Sequence, residues 1–192
     1  MPAPNPAASD FLQTRRSRPA KTLTTPVPAH PELVPILTAA ARSPDHGKLE
    51  PWRFIVLEKT ALSRLAELAL ECGTALGIDP GKMHKGVSQY KDADLVVAVV
   101  QVPRPSQKVP YIEQVYSAGA VCLAMLNAAL AAGWGANWLS GWASHDREFV
   151  TRGLGLSTDE TIAGMIHIGT ETNAPPERPR PDISALTTWV SE

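Results

Sequence analysis

Two arginines and a serine stand together near the start of the chain. Arg15, Arg16 and Ser17 offer two guanidinium groups, a hydroxyl and backbone N–H donors within three consecutive positions. Guanidinium groups bind phosphate through paired hydrogen bonds, and a serine adds a further donor, so this trio can hold a phosphate group. Alternatively, the arginines form the basic C-terminus of a helix, where positive charge is favourable. The trio alone leaves both interpretations open.

A second polar stretch, ARSPDHGKLEPWRFIV, occupies residues 41–56. Asp45 and His46 could suggest a metal site, but adjacent residues rarely ligate one ion together, and no other histidine stands at helical spacing. Ser43 with these two residues is not a catalytic triad, because triad members converge through the fold rather than within one turn. Ser140 lacks the G-x-S-x-G pattern of a hydrolase. The sequence therefore predicts neither a metal site nor a nucleophilic side chain.

Trp134, Trp138 and Trp142 recur at four-residue steps around a glycine-rich turn. They either fill the core or form a wall beside a flat aromatic ligand. GWGANW follows a predicted helix rather than a strand, so it is no dinucleotide fingerprint, and a P-loop is also lacking. Any nicotinamide nucleotide would therefore bind without a dedicated domain. His167 lies in an apolar run and is expected to be a hydrogen-bonded core residue.

Hydrophobic periodicity predicts helices and short buried strands in mixed order, which indicates an α+β or α/β protein. We expect a flexible leader at 1–8 and a single domain over 9–192, with Ser9 capping the first helix. Residues 79–92 are polar and predict a mobile loop or a short helix. The proline-rich tail is expected to be an extended arm, which suits a dimer. The predicted helices are 10–16, 31–43, 60–77, 111–133 and 144–155, and the predicted strands are 52–58, 93–102 and 161–169. Residues 135–141 are expected to be short and extended.

Composition limits the partners and the compartment. The formal net charge of −1, with scattered Lys and Arg, argues against nucleic acid as a partner. Residues 115–133 approach the length of a membrane span, but they are rich in alanine, contain Asn127 and lack a basic anchor. A buried core helix is expected there, and no membrane partner. Cys72 and Cys122 form no disulfide or metal pattern, and no signal peptide is evident, so a cytoplasmic protein is expected.

Four segments together resemble the flavin-dependent nitroreductase family, and within it the short, single-domain bacterial NAD(P)H nitroreductases. They are RRS at 15–17, ARSPDHGKLEPWRFIV at 41–56, YSAGAVCLAMLNAALAAGWGANWLSG at 116–141 and IHIGT at 166–170. The resemblance covers nearly the whole chain. The resemblance implies an α+β fold of the nitroreductase type: a three-layer sandwich with a central mixed sheet flanked by helices, built as an intertwined homodimer.

The resemblance also implies ligands and their contacts. One FMN is expected at each of two interface sites, with NADH or NADPH as reductant and a small-molecule oxidant as second substrate. The positions that match the family's flavin contacts are Arg15, Arg16, Ser17, Arg42, His46, Trp138, Leu139 and Ser140. Of these, Arg42 and His46 match residues that reach the flavin of the other subunit. The positions that match the nicotinamide segment are Ala128, Ala129, Leu130, Ala131, Ala132 and Gly133.

Further cations follow by looser analogy. Arg178 or Arg180 would add a phosphate contact, and Arg18 or Lys21 would lie near the N1–O2 edge of the flavin. No side chain is assigned a catalytic role, because the flavin carries the redox chemistry. The implied activity is the reduction of nitroaromatic, quinone-like or other electron-poor molecules by ping-pong hydride transfer.

Three positions depart from the family pattern. Glu50 stands where the family usually has glutamine, and Lys48 stands where asparagine is frequent. Leu139 follows Trp138 where the closest subgroup carries arginine. The missing cation motivates an alternative function, an FMN-binding protein with little turnover that serves flavin storage or sensing. A flavin-free dimeric scaffold is a third hypothesis, and it would leave the phosphate trio without a role.

Overall fold

One strand, β3 (Leu95–Gln101), lies inside the sheet and is buried along its whole length. The computed structural model describes residues 3–192. In it β3 pairs with β2 (Trp52–Glu58) on one side and with β5 (Thr161–Glu171) on the other. β5 also pairs with β1 (Leu23–Thr24) and β4 (Gly135–Leu139). A continuous apolar run such as LVVAVVQ is typical of a strand covered on both faces, and the predicted buried strand is confirmed.

All four strand pairings are antiparallel, so the expectation of a mixed sheet is wrong. The connection between β2 and β3 gives the physical reason. It contains two helices, α3 (Lys59–Ala75) and α4 (Pro80–Lys91), that pack against each other. One crossover helix would return the chain parallel to the first strand, whereas two successive helices return it from the opposite end.

Helices cover both faces of the sheet, which confirms the three-layer α+β architecture. Alternate residues of β3 point to opposite layers, as strand geometry requires. Val96 and Val100 join a core with Leu62, Leu65 and Phe149. Val97 and Val99 face the other way, into a core formed with the second helical layer. The first layer contains α3, α4, α6 (Trp142–His145) and α7 (Arg147–Leu154), and the second contains α2 (His30–Ala40) and α5 (Tyr111–Ala131).

The long helix α5 is the central element of the second layer. Val121, Cys122 and Met125 are fully buried, whereas Tyr116 and Leu123 on the same helix are exposed. By length and composition α5 could cross a membrane, a criterion that core helices of globular domains also meet. Here it packs against α2, β3, β4 and β5. The predicted core helix is therefore confirmed, and it buries only part of its apolar surface within this chain.

Two of the predicted boundaries are wrong near the N-terminus. The helix α1 spans Pro6–Thr14 and is capped by the Asn5 side chain rather than by Ser9. It begins early because asparagine is a strong cap and proline fits the first helical position. The predicted leader reaches into residues 1–2, which lie outside the described part of the chain, and its flexibility and the domain boundary at residue 9 stay predictions.

The polar residues 79–92 form a full helix, α4, rather than a mobile loop. Asp79 accepts hydrogen bonds from the N–H groups of Gly81 and Lys82, and proline occupies the first turn. After β5 the chain runs over the surface as an extended arm, and its one helical element among the residues described is the single turn α8 (Ile183–Leu186). This arm leaves apolar side chains in solvent, and Trp189 is 90% exposed.

Candidate functional site

The phosphate trio directly follows α1, which ends at Thr14, and Arg15 is the C-cap of that helix, so this position alone fits both the helix-end and the phosphate interpretation. Arg15 Nη2 donates to Ser17 Oγ at 3.0 Å, and Arg16 Nη2 donates to the carbonyl of Pro176 at 3.0 Å. The Nε atoms of both arginines are buried and have no hydrogen-bond partner among residues 3–192. Buried donors are nearly always paired in folded proteins. These two N–H groups therefore fit an anionic ligand that completes them.

Electrostatics at the trio point the same way. Burial lowers the pKa of Arg15, and the like charges of Arg180 and Arg16 lower it further. Arg180 carries one carboxylate partner, Glu177, at 2.8 Å. Three guanidinium groups are thus close enough to repel one another. An anion placed between them would offset that repulsion, which suits a phosphate.

The trio opens on a cavity of about 360 Å³, which we call the first cavity. It lies between the end of α1, the end of α5 and the start of β4. Gly133 ends α5 with a φ of +86°, a left-handed conformation that glycine adopts without strain. The lining residues are Phe11, Thr14, Arg15, Arg16, Arg18, Leu130, Gly133, Trp134, Gly135 and Glu171.

The predicted nicotinamide segment forms the last turn of α5 and its cap. Leu130 and Gly133 line the first cavity beside the two arginines. Ala131 and Ala132 are exposed, whereas Ala129 is fully buried in the core and Ala128 is half-buried. Within this chain, therefore, only part of the segment faces the cavity.

The chain from Arg18 to Lys21 passes beside β4 and is fastened to it. The N–H of Arg18 donates to Ala136 O at 2.8 Å, and Asn137 Nδ2 donates to Arg18 O at 2.7 Å. The Arg18 guanidinium forms a close ion pair with Glu171. Arg18 is thus committed to a carboxylate, which leaves Lys21 as the better candidate for the cation predicted near a flavin edge.

Leu139 and Lys21 meet in a second cavity of about 340 Å³, between α4 and β4. Segment 15–21 borders both cavities. Arg15, Arg16 and Arg18 line the first cavity, and residues 19–21 line the second. Trp138 is 37% exposed, and Ser140 follows β4 at the surface. The residues that line the second cavity are Pro19, Ala20, Lys21, Lys85, Ser88, Gln89, Asp92, Ala93, Asn137, Leu139 and His167.

His167 is the residue that the sequence interpretation missed. It lies on β5, opposite Val96 of β3 and Asn137 of β4, and is only 3% exposed. Its Nε2 has no hydrogen-bond partner in the part of the chain that the structure describes, so these residues do not supply the partner expected for a core histidine. Burial lowers the pKa of His167 to about 4. The available signal was a lone histidine within the apolar strand sequence TIAGMIHIG.

The three tryptophans do not form one aromatic wall. Trp134 lines the first cavity, and Trp142 packs in the first helical layer against Gly73 and Gly86. Trp138 covers Gly164, where a Cβ atom would lie 2.2 Å from the indole Nε1. The four-residue spacing fails as a predictor because the chain turns from helix to strand to helix across 131–142, so successive tryptophans enter different surroundings.

The loop at 43–50 lies against α5. His46 Nδ1 is 2.6 Å from Glu113 Oε2, and Ser117 Oγ donates to the carbonyl of Pro44 at 2.7 Å. Arg42 is exposed just after α2. Among the residues described, Arg42 and His46 line neither cavity. The structure thus gathers Arg15, Arg16, Leu130, Gly133 and Leu139 around two cavities, and it leaves Arg42 and His46 elsewhere on the chain.

Glu50 and Lys48, which depart from the family pattern, lie in the same loop. Both adopt left-handed backbone conformations, with φ of +48° and +54°. The N–H of Glu50 donates to Asp45 Oδ2 at 2.8 Å, which stabilises this tight loop. No group of three or more metal-ligating side chains occurs within residues 3–192.

Comparison with known proteins agrees with this architecture. The profile of the nitroreductase family matches residues 12–170. A protein of Escherichia coli K12 named "Putative NAD(P)H nitroreductase YdjA" is 34% identical over 163 residues, covering 85% of this chain and 87% of that protein. A Haemophilus influenzae protein named "Putative NAD(P)H nitroreductase" is also 34% identical, over 165 residues, with 85% and 88% coverage.

Solved structures share the fold. The nitroreductase-like family protein from Bacillus cereus superposes with a TM-score of 0.79 at 20% identity, covering 99% of this chain and 98% of that one. A nitroreductase from Desulfovibrio desulfuricans in complex with FMN gives a TM-score of 0.74 at 19% identity, with 99% and 100% coverage. The family profile and the curated relatives span most of the chain, and the chain belongs to the nitroreductase family.

Proposed function

We propose that this protein is an FMN-dependent oxidoreductase that uses NADH or NADPH to reduce nitroaromatic, quinone-like or other electron-poor small molecules. The observation that carries the proposal is the pair of buried, unpartnered guanidinium Nε atoms of Arg15 and Arg16, two residues that line the first cavity. Family membership supports it, as do the curated relatives named for NAD(P)H and the FMN complex of a protein with the same fold.

In this proposal the first cavity holds the phosphate end of the cofactor. Arg15 and Arg16 donate to the phosphate oxygens, Ser17 adds its hydroxyl, and Arg180 contributes further positive charge. Guanidinium groups suit this task because their donors match the spacing of phosphate oxygens. The buried Nε atoms gain acceptors, and the like charges at the trio gain a counter-charge.

The second cavity would hold the ring system of the cofactor. Bound FMN supplies the redox chemistry, accepting a hydride from the nicotinamide and passing reducing equivalents to the oxidant. Lys21 stabilises negative charge at the ring edge, while Leu139 and Ala20 exclude water from its face. Trp138 and Ser140 border the outer side. Because reductant and oxidant occupy the same open face in turn, ping-pong kinetics are expected.

A homodimer completes the proposed site. The exposed apolar side chains of α5, including Tyr116 and Leu123, and of the arm, including Trp189, would be covered by a second copy. The loop at 43–50 would then bring Arg42 and His46 to the flavin of the other subunit. We place the protein in the cytoplasm, a compartment that suits the two free, buried cysteines.

An FMN-binding protein with little turnover is the second candidate. The observation that favours it is Leu139, an aliphatic side chain in the second cavity where a cation is expected. Without that charge, attraction for a nicotinamide phosphate group is weaker. Storage or sensing of flavin would then be the role of the same site.

Absorbance spectroscopy separates the candidates. The purified protein is expected to show the flavin bands near the visible blue region, and anaerobic addition of NADH or NADPH should bleach them. Bleaching by either nucleotide, followed by recovery with a nitroaromatic or quinone, supports the oxidoreductase. Bound FMN that neither nucleotide bleaches supports the second candidate. A colourless protein that cannot be reconstituted with FMN refutes both.

A further inference from the structure

His167 carries a combination of features that a structural histidine lacks. Its side chain is 3% exposed, yet Nε2 has no hydrogen-bond partner within residues 3–192. Leaving a buried polar atom unpaired reduces the free energy of unfolding, and such atoms are rare in native proteins. An aliphatic or aromatic residue would serve the core of β5 better. Packing alone therefore does not account for an imidazole at this position.

The position of His167 connects it to the proposed ring site. Strand alternation turns His167 toward the same face of the sheet as Met165, on the side of α4. It lines the second cavity together with Lys21, Asn137 and Leu139. Lys21 belongs to segment 15–21, and Asn137 and Leu139 belong to β4, to which Arg18 fastens the segment by two hydrogen bonds. The imidazole thus lies at the inner end of the cavity and the exposed polar residues of α4 at its rim.

The chemical state of the imidazole restricts what it can bind. Burial lowers the pKa of His167 to about 4, so the ring is neutral at physiological pH. The charged groups around the cavity are Lys21, Lys85 and Asp92. A neutral imidazole offers one N–H donor and one nitrogen acceptor. Such a group matches an uncharged heterocycle edge with adjacent carbonyl and N–H groups better than it matches a phosphate or carboxylate.

We propose that His167 is a cofactor-binding residue, whose imidazole hydrogen-bonds to the carbonyl and N–H groups of the flavin pyrimidine ring in the second cavity. This inference rests on the proposed function, because it requires FMN in that cavity. It assigns recognition of the ring to a residue of β5, in addition to the phosphate contacts of Arg15 and Arg16.

A single buried water is the competing explanation. His167 also borders a small void of about 10 Å³ beside Leu95 and Ile168. That volume is close to the minimum for one water molecule. If a water were the true partner of Nε2, the histidine would stabilise the protein without its cofactor and would have no influence on the flavin ring.

Variants at His167 separate these explanations. His167→Phe keeps a ring of similar size and removes both nitrogens, whereas His167→Gln keeps a donor and an acceptor. Tyr90→Phe is the control, because it removes one buried hydroxyl from α4 at a residue that does not line the second cavity. Each protein is prepared without cofactor, titrated with FMN by fluorescence quenching, and melted with and without FMN.

We expect His167→Phe to weaken FMN binding about tenfold. The melting temperature of its cofactor-free form should rise by about 2–4 °C, because an unpaired polar atom has been removed. His167→Gln should recover most of the affinity, and Tyr90→Phe should bind FMN like the parent protein. NMR of FMN labelled with ¹³C at C2 and C4 and ¹⁵N at N3 should show shifted ring resonances in His167→Phe.

Two results would overturn the inference. One is parental FMN affinity together with unchanged ring resonances in His167→Phe. The other is a lower melting temperature of the cofactor-free variant, with FMN affinity intact, which identifies a structural water as the partner. If His167→Phe does not fold, His167→Leu, which also removes both nitrogens, is tested by the same titration and ring resonances. Failure of the parent protein to bind FMN is a different outcome, because it refutes the proposed function itself.

Discussion

Segment 15–21 and the loop at 43–50 are both polar, but they differ in how far the chain itself satisfies their hydrogen-bonding groups. In the segment, Arg15 and Arg16 retain buried Nε donors without partners among residues 3–192. In the loop, His46 is paired with Glu113, and the carbonyl of Pro44 accepts from Ser117. The segment is incomplete without a ligand, whereas the loop is completed by its own chain.

This contrast assigns different tasks to the two regions. The segment at 15–21 would bind a ligand directly, whereas the loop at 43–50 is held in a fixed conformation by its own chain. Arg15 and Arg16 are half-buried groups of like charge that repel each other until an anion binds. Altering the segment should therefore lower ligand affinity rather than the free energy of unfolding. Altering the contacts between the loop and α5 should instead lower the free energy of unfolding and leave ligand affinity unchanged. These contacts fix the loop as a rigid surface, which a second copy of the chain would use in the proposed dimer.

Replacing Arg15 and Arg16 together by methionine should give the largest effect. Two charge-assisted hydrogen bonds to a phosphate are lost, so FMN affinity should fall about 100- to 1000-fold. The melting temperature of the cofactor-free protein should not fall, because two half-buried groups of like charge have been removed. Fluorescence titration and thermal melting measure the two quantities.

Riboflavin, which lacks the phosphate, is the internal control for this double variant. Its affinity should be the same for the parent and the variant. Arg152→Met, which removes a surface arginine paired with Glu71, should leave FMN binding unchanged. Equal weakening of FMN and riboflavin would contradict the assignment of the trio to the phosphate.

The pH dependence of the free energy of unfolding tests whether His167, which lines the second cavity, is neutral in the folded protein. The folded pKa of His167 is about 4, below the ordinary value of 6.5, because burial disfavours the charged ring. Between these values the unfolded chain binds a proton that the folded chain does not. The free energy of unfolding should therefore fall as the pH drops from 7 to 4, and His167 should account for about 3 kcal/mol of that fall.

Urea unfolding of the cofactor-free protein at pH 7 and pH 4.5 measures this effect, with His167→Phe as the comparison. The variant should lose less stability between the two pH values than the parent, whereas all other titrating groups contribute equally to both. The same loss in both proteins would show that the imidazole is solvated in the folded state.

The sequence predicted the layers of this fold better than it predicted the site. Buried strands such as β3 and the core helix α5 follow from local periodicity, and they were predicted within a few residues. The direction of the strands was not, because it depends on how α3 and α4 pack, which no local pattern records. The boundary of α1 was missed because two capping residues, Asn5 and Ser9, compete within one turn.

At the site, the family resemblance predicted that Arg15, Arg16 and Ser17 bind a phosphate. The structure added that the Nε atoms of both arginines are buried without hydrogen-bond partners among residues 3–192. RRS alone fits a phosphate or a helix end, and only the burial of the Nε atoms distinguishes them. His167 could not be singled out, because an apolar strand with one histidine is compatible with a paired or an unpaired ring. The spacing of the tryptophans misled, since it assumes one continuous element through residues 131–142.

The loop should respond to changes in stability rather than in affinity. Ser117 Oγ donates to Pro44 O and accepts from Trp52 Nε1 at 3.2 Å, so it joins the loop, α5 and β2. Ser117→Ala should lower the free energy of unfolding by about 2 kcal/mol, since two hydrogen bonds are lost at a nearly buried site. Thermal melting is the measurement, and Ser63→Ala, at an exposed helical serine, is the control.

Glu113→Gln should have the smallest effect. His46 and Glu113 form an exposed pair, with side chains 60% and 42% accessible, and such pairs contribute less than about 1 kcal/mol. The melting temperature should change by no more than about 3 °C, similar to Glu71→Gln at the exposed pair with Arg152. FMN affinity of the protein at concentrations too low for self-association should be unchanged, because neither residue lines a cavity of its own chain. A tenfold loss of affinity under those conditions would place the loop in the same site as the trio within one chain, and the contrast between the two regions would then be wrong.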